Sequence, residues 1–373
     1  MKQILAVEGK DLMKKFIDFP HDLYKEDANY VPELFIAQRD LLTPGKHPFH
    51  EHSRLQLFLA VDGNQVIGRI AAIQNNNHNK ANHATDGFFG FFECINDQET
   101  ANLLIDAAEK WLKERSLTTI IGPVNPSTNE TCGLLIDGFD GRPVAMMPYN
   151  FPYYLQLLEN RNLYKKTDLR AYKFTAGNYN DRSRKLLDAL QERLKRSSIV
   201  IRKINMKNFK AEAQALKEVY NKAWDQNQGF VPMTSNEFDY MAKDLKLILD
   251  PDFCLVAEQD GKLVGFALAI PDINQIFMKI KRGRLFPFGL LKLLLLKRKI
   301  KGIRIMVLGV VDGYRKMGIE ACLYGLIIKA FQEKNLEYAE ASWTLEDNFL
   351  VNKAIEQING IPYRKYRIFE KTI

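Results

Sequence analysis

The residues best suited to chemistry lie in Ile303–Phe331, IRIMVLGVVDGYRKMGIEACLYGLIIKAF. An apolar strand runs into Asp312-Gly313-Tyr314, then Arg315-Lys316-Met317-Gly318-Ile319-Glu320-Ala321, and then an amphipathic helix. The first turn of a helix holds backbone N–H groups with no intrahelical partner, and the helix dipole favours negative charge there. Gly318 lets the backbone approach a ligand closely, and Arg315 and Lys316 add positive charge. This is the chemistry of an anion site, and a pyrophosphate is a natural occupant.

Other chemistries are weaker. No G-x-G-x-x-G follows a strand and no Walker loop is present, which argues against dinucleotide and P-loop sites. His47-x-x-His50-x-His52 has ligand-like spacing, but Pro48 breaks any helix and no cysteine is near, so a surface loop is expected and no metal. All six histidines precede residue 84, so a base in the second half must come from another residue type. Cys94, Cys132, Cys254 and Cys322 form no C-x-x-C, which fits a reducing cytoplasm. The first residues, MKQILAVEGKDLMKKF, carry charges where a signal peptide needs an apolar stretch. The longest nearly apolar run, Leu285–Leu296, is too short for a bilayer, which needs about 20 residues.

Charge is uneven. The chain of 373 residues carries +8, with −3 on residues 1–176 and +11 on residues 177–373. Ten basic and no acidic residues lie between Lys279 and Arg304. They form one local patch without interleaved stacking aromatics, so nucleic acid is not expected. Docking of something anionic is: an acidic acyl-carrier protein, a membrane surface, or neither if the leucines pack inward and the lysines point to water.

The elements that must position the loop occur twice. Phe58–Ile73, FLAVDGNQVIGRIAAI, matches Leu255–Ile270, LVAEQDGKLVGFALAI, at an offset of 197. Both read as strand, tight turn, strand. Tyr30-Val31-Pro32 matches Phe230-Val231-Pro232, and Asn150-Phe151 matches Asn348-Phe349. Three matches in order predict a duplicated domain, residues 1–174 and 175–373, with Thr175-Ala176-Gly177-Asn178 as the linker. In the second copy the expected strands are Ile199–Ile204, Ile303–Val310, Tyr338–Ser342 and Lys365–Glu370. The expected helices are Phe209–Trp224, Glu237–Leu249, Glu320–Lys334 and Phe349–Ile358. Each copy has one insertion: residues 122–148 in the first and the basic segment 271–302 in the second. The fold class is α/β (α+β), a mixed, mostly antiparallel sheet flanked by helices in each copy.

These motifs resemble the Gcn5-related N-acetyltransferase (GNAT) superfamily. Its pyrophosphate loop reads Q/R-x-x-G-x-G/A between the fourth strand and the third helix, here Arg315, Gly318 and Glu320. Glu320 departs from the pattern, and Ala321 is the adjacent small residue. Asn348 at a helix start, with Asn359-Gly360 at its end, resembles the second motif, whose Asn faces the pantetheine arm. The tyrosine of that helix, the usual acid for the departing thiolate, is replaced by Ile355; Tyr363 or Tyr366 are substitutes. The resemblance implies a thioester carbonyl held by a backbone N–H near Val310 or Val311. It implies acetyl-coenzyme A or another acyl-coenzyme A at Val310, Val311, Arg315–Ala321 and Asn348.

The implied function is acyl transfer from coenzyme A to an amine, with Glu340 or Asp347 as base and Tyr363 as acid. A structural carboxylate is the commoner fate of a residue like Glu340. The first copy lacks the loop: GFFGFFE leads through Cys94-Ile95-Asn96-Asp97 into a helix whose own Asp97 and Glu99 satisfy the dipole. It is therefore expected to support the fold and to shape the acceptor site, with Asn125, Ser127, Asn129, Tyr149 and Asn150 as candidate lining; a well-packed loop explains the same residues equally. Alternatives are a relative of the long-chain N-acyl amino acid synthases using acyl-carrier protein, and a non-catalytic coenzyme A binder.

Overall fold

The computed structural model describes residues 1–175, 181–224 and 231–373. The expected linker residues 176–178 and the repeat residue Phe230 lie outside them. The first half supplies β1 (Lys2–Ala6), β2 (Arg54–Asp62), β3 (Gln65–Gln74), β4 (Asp86–Cys94) and β5 (Thr119–Gly122). The insertion after β5 adds β6 (Val124–Asn125), β7 (Thr131–Cys132) and β8 (Leu134–Asp137), and β9 (Tyr164–Thr175) follows. The second half supplies β10 (Ile199–Lys203), β11 (Cys254–Gln259), β12 (Lys262–Pro271), β13 (Gly302–Val310), β14 (Tyr338–Leu345) and β15 (Ile361–Thr372).

The two hairpins repeat in detail. In both, the register shifts after the alanine of the match: between Ala60 and Val61 in β2–β3, and between Ala257 and Glu258 in β11–β12. Gly68 faces Ala60, and Gly265 faces Ala257. At Gly68 an added Cβ would sit 2.7 Å from Leu104, so a bare backbone there lets the helix Gln98–Lys113 lie close to the sheet. The same helix position in the second half is Ile319–Glu333, and Gly265 lies under its first residue, with Ile319 Cγ2 3.5 Å from an added Cβ.

All but two of the pairings in the large sheet are antiparallel. The strands run in the order β1-β2-β3-β4-β5-β15-β9-β14-β13-β12-β11-β10, with β8 also on β15. The last strand of each half has therefore crossed to the other half. β15 pairs with β5 from Phe369–Gly122 to Thr372–Thr119, and β9 pairs with β14 from Tyr338–Thr175 to Leu345–Leu169. β9 and β15 also pair with each other. Sequence periodicity places a terminal strand on each copy but not in the other's sheet. The parallel pairs, β4–β5 and β13–β14, are short: three and four residue pairs respectively. Beyond them the strands part.

Apolar side chains fill both faces of the sheet in each half. One buried group joins Leu187, Ile303, Ile319, Leu323, Ile327 and Ile355 beneath the helices of the second half. Its counterpart in the first half includes Leu104, Ala108, Leu112 and Tyr154. Because β14 and β5 each need a strand from the other half, residues 175–373 expressed alone should leave the edge of β14 bare. Such an edge pairs with other chains. Size-exclusion chromatography should show dimers or aggregates, and co-expression with residues 1–174 should restore one soluble species.

Candidate functional site

The fork between β13 and β14 opens after the pair Ile305–Ala341. From there β14 stays with β9 as far as Leu345, and β13 stays with β12 as far as Val310. In an antiparallel ladder successive residues turn their amide groups to opposite sides. The N–H of Val311 bonds to the carbonyl of Val264 at 2.9 Å, so it is engaged by the sheet. Val310 and Leu308 therefore face the fork. Of the two residues expected to hold a thioester carbonyl, only Val310 is turned that way. Its own carbonyl accepts from Arg315 Nε at 3.3 Å.

The loop after β13 is a run of left-handed backbone: Gly313 (φ +89°), Lys316 (φ +69°) and Gly318 (φ +94°). Alternation of helical and left-handed residues gathers successive N–H groups into an anion-binding concavity. Tyr314 ties the loop to the neighbouring strand through its hydroxyl, 2.7 Å from Gln259 Oε1. Arg315 also pairs with Asp312 at 2.9 Å. Gly318 is the N-cap of the helix Ile319–Glu333, and no side chain caps it. A side chain at Gly318 would be strained by its φ and would meet Leu190 at 3.1 Å. The side chain of Ile319 is fully buried and that of Met317 packs on the same core, so both contribute backbone only. Ala321 is exposed.

A cavity of about 620 Å³ starts at Lys316 and Gly318 and runs between the helices Asp181–Arg196, Ile319–Glu333 and Phe349–Gln357. Its lining includes the charged Lys316 and Glu320 together with Leu186, Leu190, Ile305, Ile328 and Phe331. Among the described residues neither the Lys316 nor the Glu320 side chain forms an ion pair, so both charges border the cavity. Asn348 does not point its acceptor at this cavity: Oδ1 takes the N–H of Val351 at 3.3 Å and caps its own helix. Ile355 is buried in the core.

The matching place in the first half is closed. Asp97 caps the helix Gln98–Lys113 by accepting from Thr100 N at 2.7 Å, and Lys2 binds Asp97 at 2.8 Å. Asn125 fills the β4–β5 fork, its Oδ1 accepting from Phe91 N at 2.7 Å. An added Cβ on Gly90 would lie 2.1 Å from the Val124 carbonyl. Tyr154 takes the N–H of Cys94 at 3.1 Å and donates to the largely enclosed Glu93 at 2.7 Å; Tyr24 donates to the same carboxyl at 2.6 Å. Burial pushes Glu93 above the ordinary carboxyl range.

Glu340 and Tyr363 do meet. Glu340, in the paired part of β14, receives the hydroxyls of Tyr363 and Ser342 and is 1% exposed. Burial drives its carboxyl up; the Ser342 hydroxyl and the Arg304 charge oppose that without cancelling it. Arg304 is the cross-strand partner of Glu340. Its guanidinium donates to Ser342 Oγ at 2.9 Å and to the carbonyls of Ala145 and Met146 at 3.1 and 3.0 Å. Ala145 N in turn donates to Asp272 Oδ1 at 2.8 Å. The insertion of the first half thus roofs the Glu340 face of the second. The apolar strand IRIMVLGV offers a signal, since a charge inside such a strand needs a partner. Counting Arg304 with the surface charges of 279–304 hides it.

The expected acceptor-lining residues hold the protein's own groups. Ser127 Oγ takes Asn129 N at 3.2 Å, and Asn129 bonds Val231 O and Tyr220 OH at 3.3 and 3.0 Å. Tyr149 donates to Asp27 at 2.6 Å, and Asn150 binds both backbone groups of Leu135 at 2.8 and 3.0 Å. The three histidines of 47–52 are separately engaged, by Phe49 N, Leu41 O and Glu237. Among the described residues no group of three or more His, Cys, Asp or Glu could hold a metal ion.

No family model matches the sequence. A solved tandem GNAT protein from the clavulanic acid biosynthesis pathway superposes with a TM-score of 0.60 over 100% of this chain and 98% of its own, at 9% identity. Protein YghO of Escherichia coli K12 is 36% identical over 98% of this chain and 94% of its own. A bacterial ceramide synthase of Caulobacter vibrioides is 34% identical over 99% and 97%. The fold is thus that of the tandem GNAT proteins. The chain belongs to one family with these two relatives.

The raised Glu340 carboxyl has a consequence for stability. A group that holds its proton more tightly when folded adds stability below its unfolded pKa and loses it as pH rises through the folded value. Glu340→Gln cannot ionise. Urea denaturation across the range from the ordinary carboxyl pKa upward should therefore show a shallower decline with pH in the variant than in the parent.

Proposed function

We propose that the chain is an N-acyltransferase in which the second half binds a coenzyme A thioester at Val310 and Arg315–Ala321. The carrying observation is the contrast between two equivalent helix starts: that at Gly318 has no side-chain cap and opens on a cavity, whereas that at Asp97 is capped by its own residue. Free amides at a helix start favour a diphosphate. A cavity bordered by Lys316 and Glu320 and otherwise largely apolar suits a donor with a polar head and a long chain, which favours a fatty acyl group over acetyl.

The acceptor is read as a long-chain amino alcohol. The Caulobacter relative is a ceramide synthase, and a ceramide is the amide of a fatty acid with such an amine. The amine nitrogen attacks the thioester carbon, the C–N bond forms and the C–S bond breaks. The amine loses a proton and the coenzyme leaves as its thiol. Glu340 is the base in this reading because burial raises its proton affinity. It lies outside the cavity lining, next to the cavity-facing Ala339, so the amine must approach it from the opposite face of the sheet. Tyr363 and Ser342 orient the carboxylate, and Val310 N–H is the donor for the carbonyl oxygen.

Two measurements check this function. Gly318→Trp should weaken coenzyme A binding by calorimetry by roughly tenfold or more, the equivalent of one charge-assisted hydrogen bond. Lys316→Glu should act in the same direction without backbone strain. In thiol-release assays with acyl-coenzyme A from acetyl to palmitoyl and a long-chain amino alcohol, amide should form with the longer donors. Glu340→Gln should lower kcat by roughly 100- to 10,000-fold. Tight coenzyme A binding with no thiol release across that series would leave a binding protein instead.

A further inference from the structure

The basic insertion builds a surface that no step of the transfer uses. Its helix, Phe288–Leu296, is apolar apart from Lys292. Gly289 is buried, and Leu285, Leu293 and Leu296 pack on the core beneath the helix Ser235–Ile248. The outward side is also apolar. Phe286, Phe288, Leu291, Leu294 and Leu295 are between 54% and 73% exposed, and Leu247 beside them is 72% exposed. The helix is tied to that neighbour by Lys297 Nζ, 3.0 Å from the Leu247 carbonyl. Water does not favour such a ridge left bare.

The charges around it divide into two sets. Arg282 grips Asp22 at 2.6 Å, and Arg284 grips Asp18 at 2.9 Å while lying over the Phe35 ring, so these two fix the segment to the first half. Arg304 is buried in the Glu340 cluster. The remaining seven, Lys279, Lys281, Lys292, Lys297, Arg298, Lys299 and Lys301, have no carboxylate in ion-pair range among the described residues. Paired with no carboxylate among the described residues, they flank in sequence an exposed row of leucine and phenylalanine.

We propose that this face docks the enzyme on an anionic lipid bilayer, with the ridge of Phe286–Leu295 entering the headgroup boundary and the cations on lipid phosphates. The helix has nine residues, so it lies on the surface and does not span. A protruding apolar ridge fits a deformable lipid surface, whereas an acidic carrier protein would answer the charges and leave the leucines bare. The proposal is independent of the acceptor assignment, because vesicle binding needs no substrate.

The test is flotation of the full chain with phosphatidylglycerol–phosphatidylcholine vesicles and with phosphatidylcholine vesicles alone. The parent should float with the anionic vesicles, bind the neutral ones more weakly, and release as salt rises. Leu291→Glu with Leu295→Glu should lower binding by about tenfold or more, as should Lys297→Glu, Arg298→Glu and Lys299→Glu together. Thermal unfolding should not change, since these side chains are at the surface. No flotation by the parent, or unchanged flotation by both variants, overturns the proposal. So does a parent dimer that becomes a monomer in Leu291→Glu, which would assign the ridge to a second copy. Capture of acyl-carrier protein abolished by the charge reversal, without vesicle binding, overturns it as well.

Discussion

A strand can leave its neighbour only if something else holds it. β14 departs from β13 after Ala341 because β9, a strand of the other half, keeps it paired to Leu345. The same holds at β5, which follows β15 after leaving β4. The exchange of terminal strands is therefore what permits two forks in one continuous sheet. Each fork exposes backbone groups that must find partners. In the first half the protein provides them, with Asn125 and Tyr154 as the fillings. In the second half the corresponding space remains beside an uncapped helix. Under the proposed function, that asymmetry makes one copy a scaffold and the other a site.

The two halves cooperate across that asymmetry. Arg304 reaches from β13 to the carbonyls of Ala145 and Met146, and Asp272 receives the N–H of Ala145. The loop that blocks the first half's own fork thus continues as the roof over Glu340. A buried guanidinium without such acceptors would cost several kcal/mol. The insertion and the arginine are mutually required, which explains why the carboxyl of Glu340 is buried and bounded by hydroxyls.

Much of the fold is legible in the sequence because its signals are local. Turn residues Asp62-Gly63 and Asp260-Gly261 mark the hairpins, and the helices expected at 209–224, 320–334 and 349–358 start within one residue of Phe209, Ile319 and Phe349. The strand exchange is not legible, since β9 and β15 carry similar alternation and the choice of neighbour is a long-range packing outcome. Site residues divide the same way. The loop at 312–318 is local chemistry, and it is read directly. Asn125 and Asn150 suit an acceptor site by residue type, but a polar side chain next to an open backbone serves the backbone as readily, and sequence does not distinguish the two. Composition records charge without depth, so it places Arg304 among the surface charges.

The crossing of the last strands also bears on how the polypeptide is made. During translation the first half emerges with β5 lacking its neighbour, and the residues that will cover it, Phe369–Thr372, follow roughly two hundred and fifty positions later. A nascent chain at the ribosome must keep that unprotected border from sticking to others, so this architecture places a demand on chaperones that two independently closing units would not.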